Sequence, residues 1–396
     1  MNLSIAKHKE SRISIFSLLF AVGVYLPFLL PTFLSNIIKP VFIFGAIIVV
    51  VVKKRTILNK FNAALFFFAV LYGIATIGAL LQDGWIRGLS FLLYILLSYF
   101  SSIIGFDKKD IRGLSICLFL GGFFFSLGIL LFNPFFGTNW MNRTYLNVYH
   151  ATINSNQCVY PALIALAAIP PILFIKRRLL RFLIILSVFL HSYVVLLTMS
   201  RSGFLCWVCI CLYIFIYFFV KTKISHKKVI LACFLICLFF AGLLMYRALP
   251  SDMVTRLFKV ESYSDSSGRF EMFLRGITST KNIFFGDGVG AWAAISGGTI
   301  KMHNLFVNVF METGLLGLIL LTLSILLPAL KAIKTPYFVF VFPALFQSLL
   351  ESGDAYTFWV PIAMLYICCS IRFAESDKAN RCAYADFSCL AQRAVW

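Results

Sequence analysis

The chain has 396 residues, of which 61% are hydrophobic and only 13% charged. A soluble domain carries about twice that charged fraction, so the composition excludes an ordinary water-soluble enzyme and makes the bilayer the solvent. The formal net charge is +20, yet the lysines and arginines sit in short clusters between apolar stretches. That is the positive-inside pattern of membrane topology and not a nucleic-acid surface.

A membrane-crossing helix needs about 20 apolar residues. Stretches of this kind run over 13–31, 34–52, 62–81, 86–105, 113–133, 153–175, 179–199, 203–220, 229–248, 304–330, 335–350 and 356–371. The last two are the shortest, and prolines break the region that joins them to the tenth. The first is longer than the core of a signal peptide and has no clear small-residue cleavage site, so it is expected to remain as a span. Lys7, Lys9 and Arg12 precede the first stretch, and Lys53, Lys54, Arg55 and Lys60 follow the second. Lys108, Lys109 and Arg112 follow the fourth, and Lys176, Arg177, Arg178 and Arg181 the sixth. Lys221, Lys223, Lys227 and Lys228 follow the eighth, Lys331 and Lys334 the tenth, and Arg372, Lys378, Arg381 and Arg393 close the chain.

All of these clusters fall on one side of a twelve-span arrangement, which places both termini in the cytoplasm. The expected fold class is therefore an all-α polytopic membrane protein. One membrane domain covers 1–372, and a tail over 373–396 has no apolar pattern and is expected to be disordered. Two long loops, 134–152 and 249–303, face the opposite side. Neither contains any of the eleven cysteines, so no disulfide framework is indicated. Cys206, Cys209 and Cys211 lie close together, but inside a lipid-length helix without histidine or acidic neighbours. They read as small packing residues.

The larger outer loop is mixed in charge, with Asp252, Arg256, Lys259, Glu261, Asp265, Arg269, Glu271, Arg275 and Asp287. Its segment from Gly268 to Ile277 has the pattern of a short amphipathic helix able to lie on a membrane. Gly286-Asp-Gly-Val-Gly290 reads as a turn.

Candidate chemistry collects at this outer edge. Arg201, in Ser200-Arg201-Ser202-Gly203, sits where the seventh stretch meets the eighth. It can anchor a helix end by snorkelling, or present a permanently charged fork to phosphate. Arg269 sits in the large loop with Arg275 six residues on, and each reads equally as a solvated charge. His303 and Asn304 open the tenth stretch. An interfacial histidine often serves only as a polar cap, but imidazole titrates near neutrality and suits proton abstraction from a sugar hydroxyl. Asn304, Asn308 and Glu312 follow at helical spacing on one face. Glu312 lies about 13 Å along the helix from His303 and roughly opposite it, so the two are not expected to pair. A carboxylate at that depth must face protein or water, and bonding another span is as good a role for it as catalysis. In the smaller loop, Arg143, His150, Asn154 and Asn156 form a polar group at the start of the sixth stretch, as an interfacial belt or as part of a site. There is no zinc signature, nucleotide loop or Ser-His-Asp order.

In this order the motifs resemble the O-antigen ligase and O-antigen polymerase superfamily of bacterial membrane glycosyltransferases. The resemblance rests on Ser200-Arg201-Ser202-Gly203, on Ser267-Gly268-Arg269, and on His303-Asn304 followed by Glu312-Thr-Gly-Leu-Leu-Gly317. The Gly286–Gly290 turn and Asn154-Ser-Asn156 add to it, and the similarity covers a core of about 154–321. It implies a GT-C-like, metal-independent, inverting glycosyl transfer without a cofactor, at the periplasmic face of the bacterial inner membrane. The donor would be a glycan on undecaprenyl pyrophosphate. Arg201 and Arg269 would hold the pyrophosphate, and His303 would activate the acceptor hydroxyl.

His303-Asn304-Leu-Phe looks more like a polymerase, and Lys301-Met302 offers no second histidine of the kind some ligases carry. The expected reaction is polymerisation of lipid-linked repeat units, with a chain-length regulator as a candidate partner. The alternative is a ligase that moves the glycan to lipid A-core. From another class, a lipid-linked oligosaccharide flippase also fits twelve spans with both ends inside. No internal repeat is seen, however, and mid-span charges are confined mainly to Lys39 and Glu312, whereas carriers place their sites near the midplane. A scaffold subunit, with the arginines and histidine incidental, is the remaining class.

Overall fold

The computed structural model describes residues 14–29, 60–79, 85–104, 106, 108–132, 146–148, 151–153, 155–175, 177–221, 269–298, 302–350 and 358–369, with isolated positions between 41 and 52. The expected span 229–248, most of 34–52, and the tail lie outside the described residues, as do Lys39, Arg143, His150 and Asn154.

In chain order the helices are α1 (Ile15–Leu29), α2 (Lys60–Gly78), α3 (Trp85–Ile103), α4 (Lys108–Phe132), α5 (Ser155–Ala167), α6 (Ile169–Ile172), α7 (Arg178–Leu197) and α8 (Arg201–Lys221). In the large loop follow α9 (Arg269–Ser279) and α10 (Ala291–Ser296), and then α11 (Leu305–Ala332). A 3-10 turn, Pro336–Phe340, leads into α12 (Val341–Leu350), and Trp359–Cys369 forms α13. The expected all-α class holds for the bundle, and one short element lies outside it. The smaller loop ends in an antiparallel hairpin, β1 (Leu146–Val148) with β2 (Ala151–Ile153), Leu146 opposite Ile153.

Among the described residues four helices are long and apolar enough to cross a membrane: Asp110–Leu131, Arg178–Leu197, Arg201–Lys221 and Leu305–Ala332. The shorter apolar helices fall where the other described stretches were expected. Local chemistry accounts for several of their lengths. The 153–175 stretch divides at Ala168, just before Pro170 and Pro171, because proline cannot donate to the preceding turn. Pro336 opens the turn that shortens α12.

α7 shows why the bilayer, and not water, explains the packing. Leu179, Phe182, Ile185 and Phe189 form an exposed stripe, whereas Ser187 and His191 on the other side are buried. The Ser126 hydroxyl of α4 lies 2.8 Å from His191 Nδ1. A soluble helix has its apolar stripe inward; here lipid takes the apolar face and the bundle takes the polar groups. Small residues bring the helices close, as expected where lipid removes the hydrophobic drive to associate. Gly122 of α4 abuts Ala165 of α5, and Gly203 of α8 abuts Val159 of α5.

Two contacts orient the bundle. The Tyr213 hydroxyl in the second half of α8 donates to the Thr335 carbonyl just beyond α11 at 2.8 Å. Val159, near the start of α5, meets Gly203, near the start of α8. The N-terminal ends of α5, α8 and α11 therefore share one end of the bundle, opposite Lys221, Lys331 and Lys334.

α11 is not the single uninterrupted helix expected over 304–330. It breaks at Gly314, where φ is 67° and ψ is −163°. The turn from Ile283 to Gly288 inserts its backbone there. Asp287 N–H donates to Met311 C=O at 2.7 Å and Gly288 N–H to Glu312 C=O at 3.2 Å. Leu315 N–H donates to Ile283 C=O at 2.8 Å and Leu316 N–H to Phe284 C=O at 3.3 Å. Peptide groups freed by a break inside a membrane protein must find such partners, and the loop supplies them.

Candidate functional site

Each residue of the Ser-Arg-Ser-Gly segment has a separate structural task. Met199 immediately before it is buried in the left-handed region at φ 47°, a conformation that costs a side chain about 1–2 kcal/mol and is often retained near functional sites. The Ser200 hydroxyl accepts from Gly203 N–H at 3.3 Å and so caps α8. The Ser200 and Ser202 hydroxyls lie 3.2 Å apart, and the Tyr160 hydroxyl of α5 donates to Ser202 at 3.5 Å. Gly203 admits α5, since a Cβ there would sit 2.6 Å from a Val159 methyl. Arg201 is left half-buried as the first residue of α8. A cation there adds to the positive end of the helix dipole, and both favour an anion. Asn156 lies in the first turn of α5, the helix that braces this segment.

The second group is built on the large loop. The expected amphipathic helix is present as α9, opened by Arg269 and with Arg275 exposed. Its Gly276 fits against Met302, Met311 and Val307; a Cβ there would meet the Met302 methyl at 2.8 Å and the Met311 sulfur at 2.9 Å. The helix that begins with Arg269 is thus docked on the residue immediately before His303. His303 itself is half-buried just outside α11.

The expected polar face of Asn304, Asn308 and Glu312 is corrected at its first member. Asn304 is extended, with φ −153° and ψ 114°, and its side chain accepts from Val307 N–H at 3.1 Å. It is the N-cap of α11, which also fixes the backbone next to His303.

Glu312 is buried and serves as a brace. Its Oε2 accepts from the Tyr72 hydroxyl of α2 at 2.6 Å, and its Oε1 accepts from Gly290 N–H at 3.2 Å. One carboxylate thereby ties α2, the glycine turn and α11 together. The turn is also closed internally: the Asp287 carboxylate accepts from Lys281 N–H at 2.9 Å and Asn282 N–H at 3.0 Å. Val289 seats it against Gly88 at the start of α3, beside Thr76.

Tyr72 carried no sequence signal, because a tyrosine in an apolar helix looks like any other large packing residue. Tyr72→Phe leaves the geometry of α2 intact but strips a hydroxyl from a buried carboxylate. The expected loss is about 1–3 kcal/mol of stability, read as a lower midpoint of thermal unfolding in detergent. An unchanged midpoint would mean the brace is not under load.

The structure therefore docks the helix that carries Arg269 and Arg275 on the residue before His303, and ties Glu312 to the glycine turn. Arg201 stands on the α5–α8 pair at the same end of the bundle.

Residues 186–322 match the family model described as O-antigen ligase. The matched segment contains Arg201, Arg269, Arg275, His303, Asn304 and Glu312, and it supports the O-antigen ligase and polymerase superfamily, membrane glycosyltransferase-like enzymes, that the motif order resembles. No curated protein matches the chain.

Proposed function

We propose that this integral membrane protein is a polymerase of O-antigen or a related surface polysaccharide. In this reading it joins a glycan carried on undecaprenyl pyrophosphate to a growing lipid-linked chain at the periplasmic face of the inner membrane. The observation that carries the proposal is the gathering of Arg201, the Arg269 helix and His303 at one end of the bundle, away from the lysine clusters, inside the segment that matches the family.

The chemistry follows from these groups. The acceptor hydroxyl oxygen attacks the anomeric carbon of the donor sugar while His303 takes its proton. The bond from that carbon to the pyrophosphate oxygen breaks, both electrons leave with the polyprenyl pyrophosphate, and the configuration inverts. Arg201 and Arg269 offset the charge that grows on the leaving group, the role that fixed cations perform best in a partly desolvated site. Holding donor and acceptor in line supplies the rest.

Arg201→Ala and Arg269→Ala should each lower transfer by about 100- to 1,000-fold with normal membrane levels, and lysine should restore little because it lacks the planar fork. Retained activity in both alanine variants would remove the pyrophosphate assignment.

The family description, O-antigen ligase, fits a second reading as well, a ligase that delivers the glycan to lipid A-core. Both readings use the same donor site and differ in acceptor. The surface polysaccharide of a deletion strain distinguishes them on a gel. Core carrying a single repeat unit means polymerase, whereas bare core with polymer accumulating on the lipid carrier means ligase.

A further inference from the structure

The helix α9 presents three different faces. At about 100° per residue, Met272, Phe273 and Gly276 point one way and pack toward α11, with Gly276 against Met302 and Met311. Glu271, Arg275 and Thr278 lie on a second, exposed polar face. Phe270, Leu274 and Ile277 lie on a third face that is apolar yet exposed. Just beyond the helix, Ile283, Phe284 and Phe285 are exposed as well; these six side chains are between 47% and 71% open. A water-facing loop seldom displays so many large apolar groups together.

The backbone fixes the level at which the second trio sits. Ile283 C=O and Phe284 C=O accept from the N–H groups of Leu315 and Leu316. Leu315, Leu316 and Ile319 are themselves exposed apolar residues on the membrane-crossing helix. The Ile283–Phe285 turn is therefore continuous with the lipid-facing surface of α11. Length agrees: from the break at Gly314 to Ala332, α11 is about 27 Å long at about 1.5 Å per residue, close to the hydrocarbon thickness of about 30 Å. The hydrocarbon edge then falls beside Phe284, with Lys331 at the far end.

We infer that the apolar face of α9 and the Ile283–Phe285 turn are embedded in the bilayer at its hydrocarbon edge. The loop that carries Arg269 and the glycine turn then rests on the acyl region and is not suspended in water. One side of α9 meets lipid, one meets α11 and one meets water, the division an interfacial helix requires. Its occupant is the bilayer itself, and the inference stands whether or not the transfer reaction is the one proposed above.

The test places a nitroxide-bearing amino acid at Phe284, and in a separate variant at Thr278 on the polar face. Each full-length protein is put in nanodiscs of phosphatidylethanolamine and phosphatidylglycerol. Collision with dissolved oxygen, which concentrates in lipid, is compared with collision with a water-soluble nickel chelate. Oxygen should dominate at 284 and the chelate at 278, a reversal of order between the two positions. Chelate dominance at 284 would overturn the inference by placing the turn in water. Exclusion of both probes at 284 would also overturn it, by showing a protein cover such as a second copy of the chain. Leu274 provides a second labelled position should the label at 284 prevent folding.

Discussion

Replacing His303 by alanine should lower glycan transfer by about 100- to 10,000-fold, the range for loss of a positioned general base, while donor binding persists. The separation of the two effects follows from the architecture. His303 lies outside α11, and its neighbours are fixed without its side chain: Met302 is held by Gly276, and Asn304 caps α11 through Val307 N–H. Removing the imidazole should leave that frame standing, so that donor binding, which the proposed function assigns to Arg201 and Arg269, persists. Single-turnover assays and equilibrium binding of a lipid-linked donor give the two readings. Loss of binding together with loss of turnover would assign His303 to the donor site instead.

Gly286→Ala should be the most damaging small substitution for folding. Gly286 has φ 74°, and a Cβ there would overlap the Thr313 nitrogen and the Glu312 carbonyl carbon. Both are backbone atoms at the break in α11, where no side-chain rotation can relieve the overlap. The left-handed conformation adds about 1–2 kcal/mol for any residue with a Cβ, and overpacking adds about 1–3 kcal/mol. The expected loss is therefore about 3 kcal/mol or more, seen as poor recovery of folded protein and a lower unfolding midpoint. Gly288→Ala is the informative comparison. Its φ of 92° carries the backbone penalty, but a Cβ there meets nothing within 4 Å. It should cost only the smaller part. Equal effects at the two positions would mean that the close approach of loop and helix is not what Gly286 protects.

How much of this was legible beforehand depended on whether a feature leaves a trace in hydropathy or spacing. Exposed apolar stripes do, so α7 and α8 lie where the apolar stretches placed them. Amphipathic spacing does, and α9 begins at Arg269 within the segment marked for it. Backbone-to-backbone docking does not. The break in α11 rests on Gly314, which sits in an apolar run and reads as an ordinary small residue of a packed helix. Its partner is a turn some thirty residues earlier, and nothing local to either reveals the pairing. The Tyr72–Glu312 bond is equally silent from the α2 side. Glu312 could be recognised as needing a partner because a buried carboxylate must have one, but not which partner. Periodicity alone puts Asn304 on a helical face, whereas an asparagine before an apolar helix is a favoured N-cap, the place it takes here. The β1–β2 hairpin was missed because three-residue strands carry too little alternation to stand out from a loop.

The most direct test of the central claim uses purified protein in nanodiscs, supplied with a polyprenyl-pyrophosphate-linked oligosaccharide from the same polysaccharide. The products would be followed by gel and mass spectrometry. A glycan extended by whole repeat units, released polyprenyl pyrophosphate in equal amount, and neither product from the His303→Ala protein is the predicted result. No extension and no transfer to added lipid A-core, or the same products at the same rate without the His303 imidazole, would contradict it.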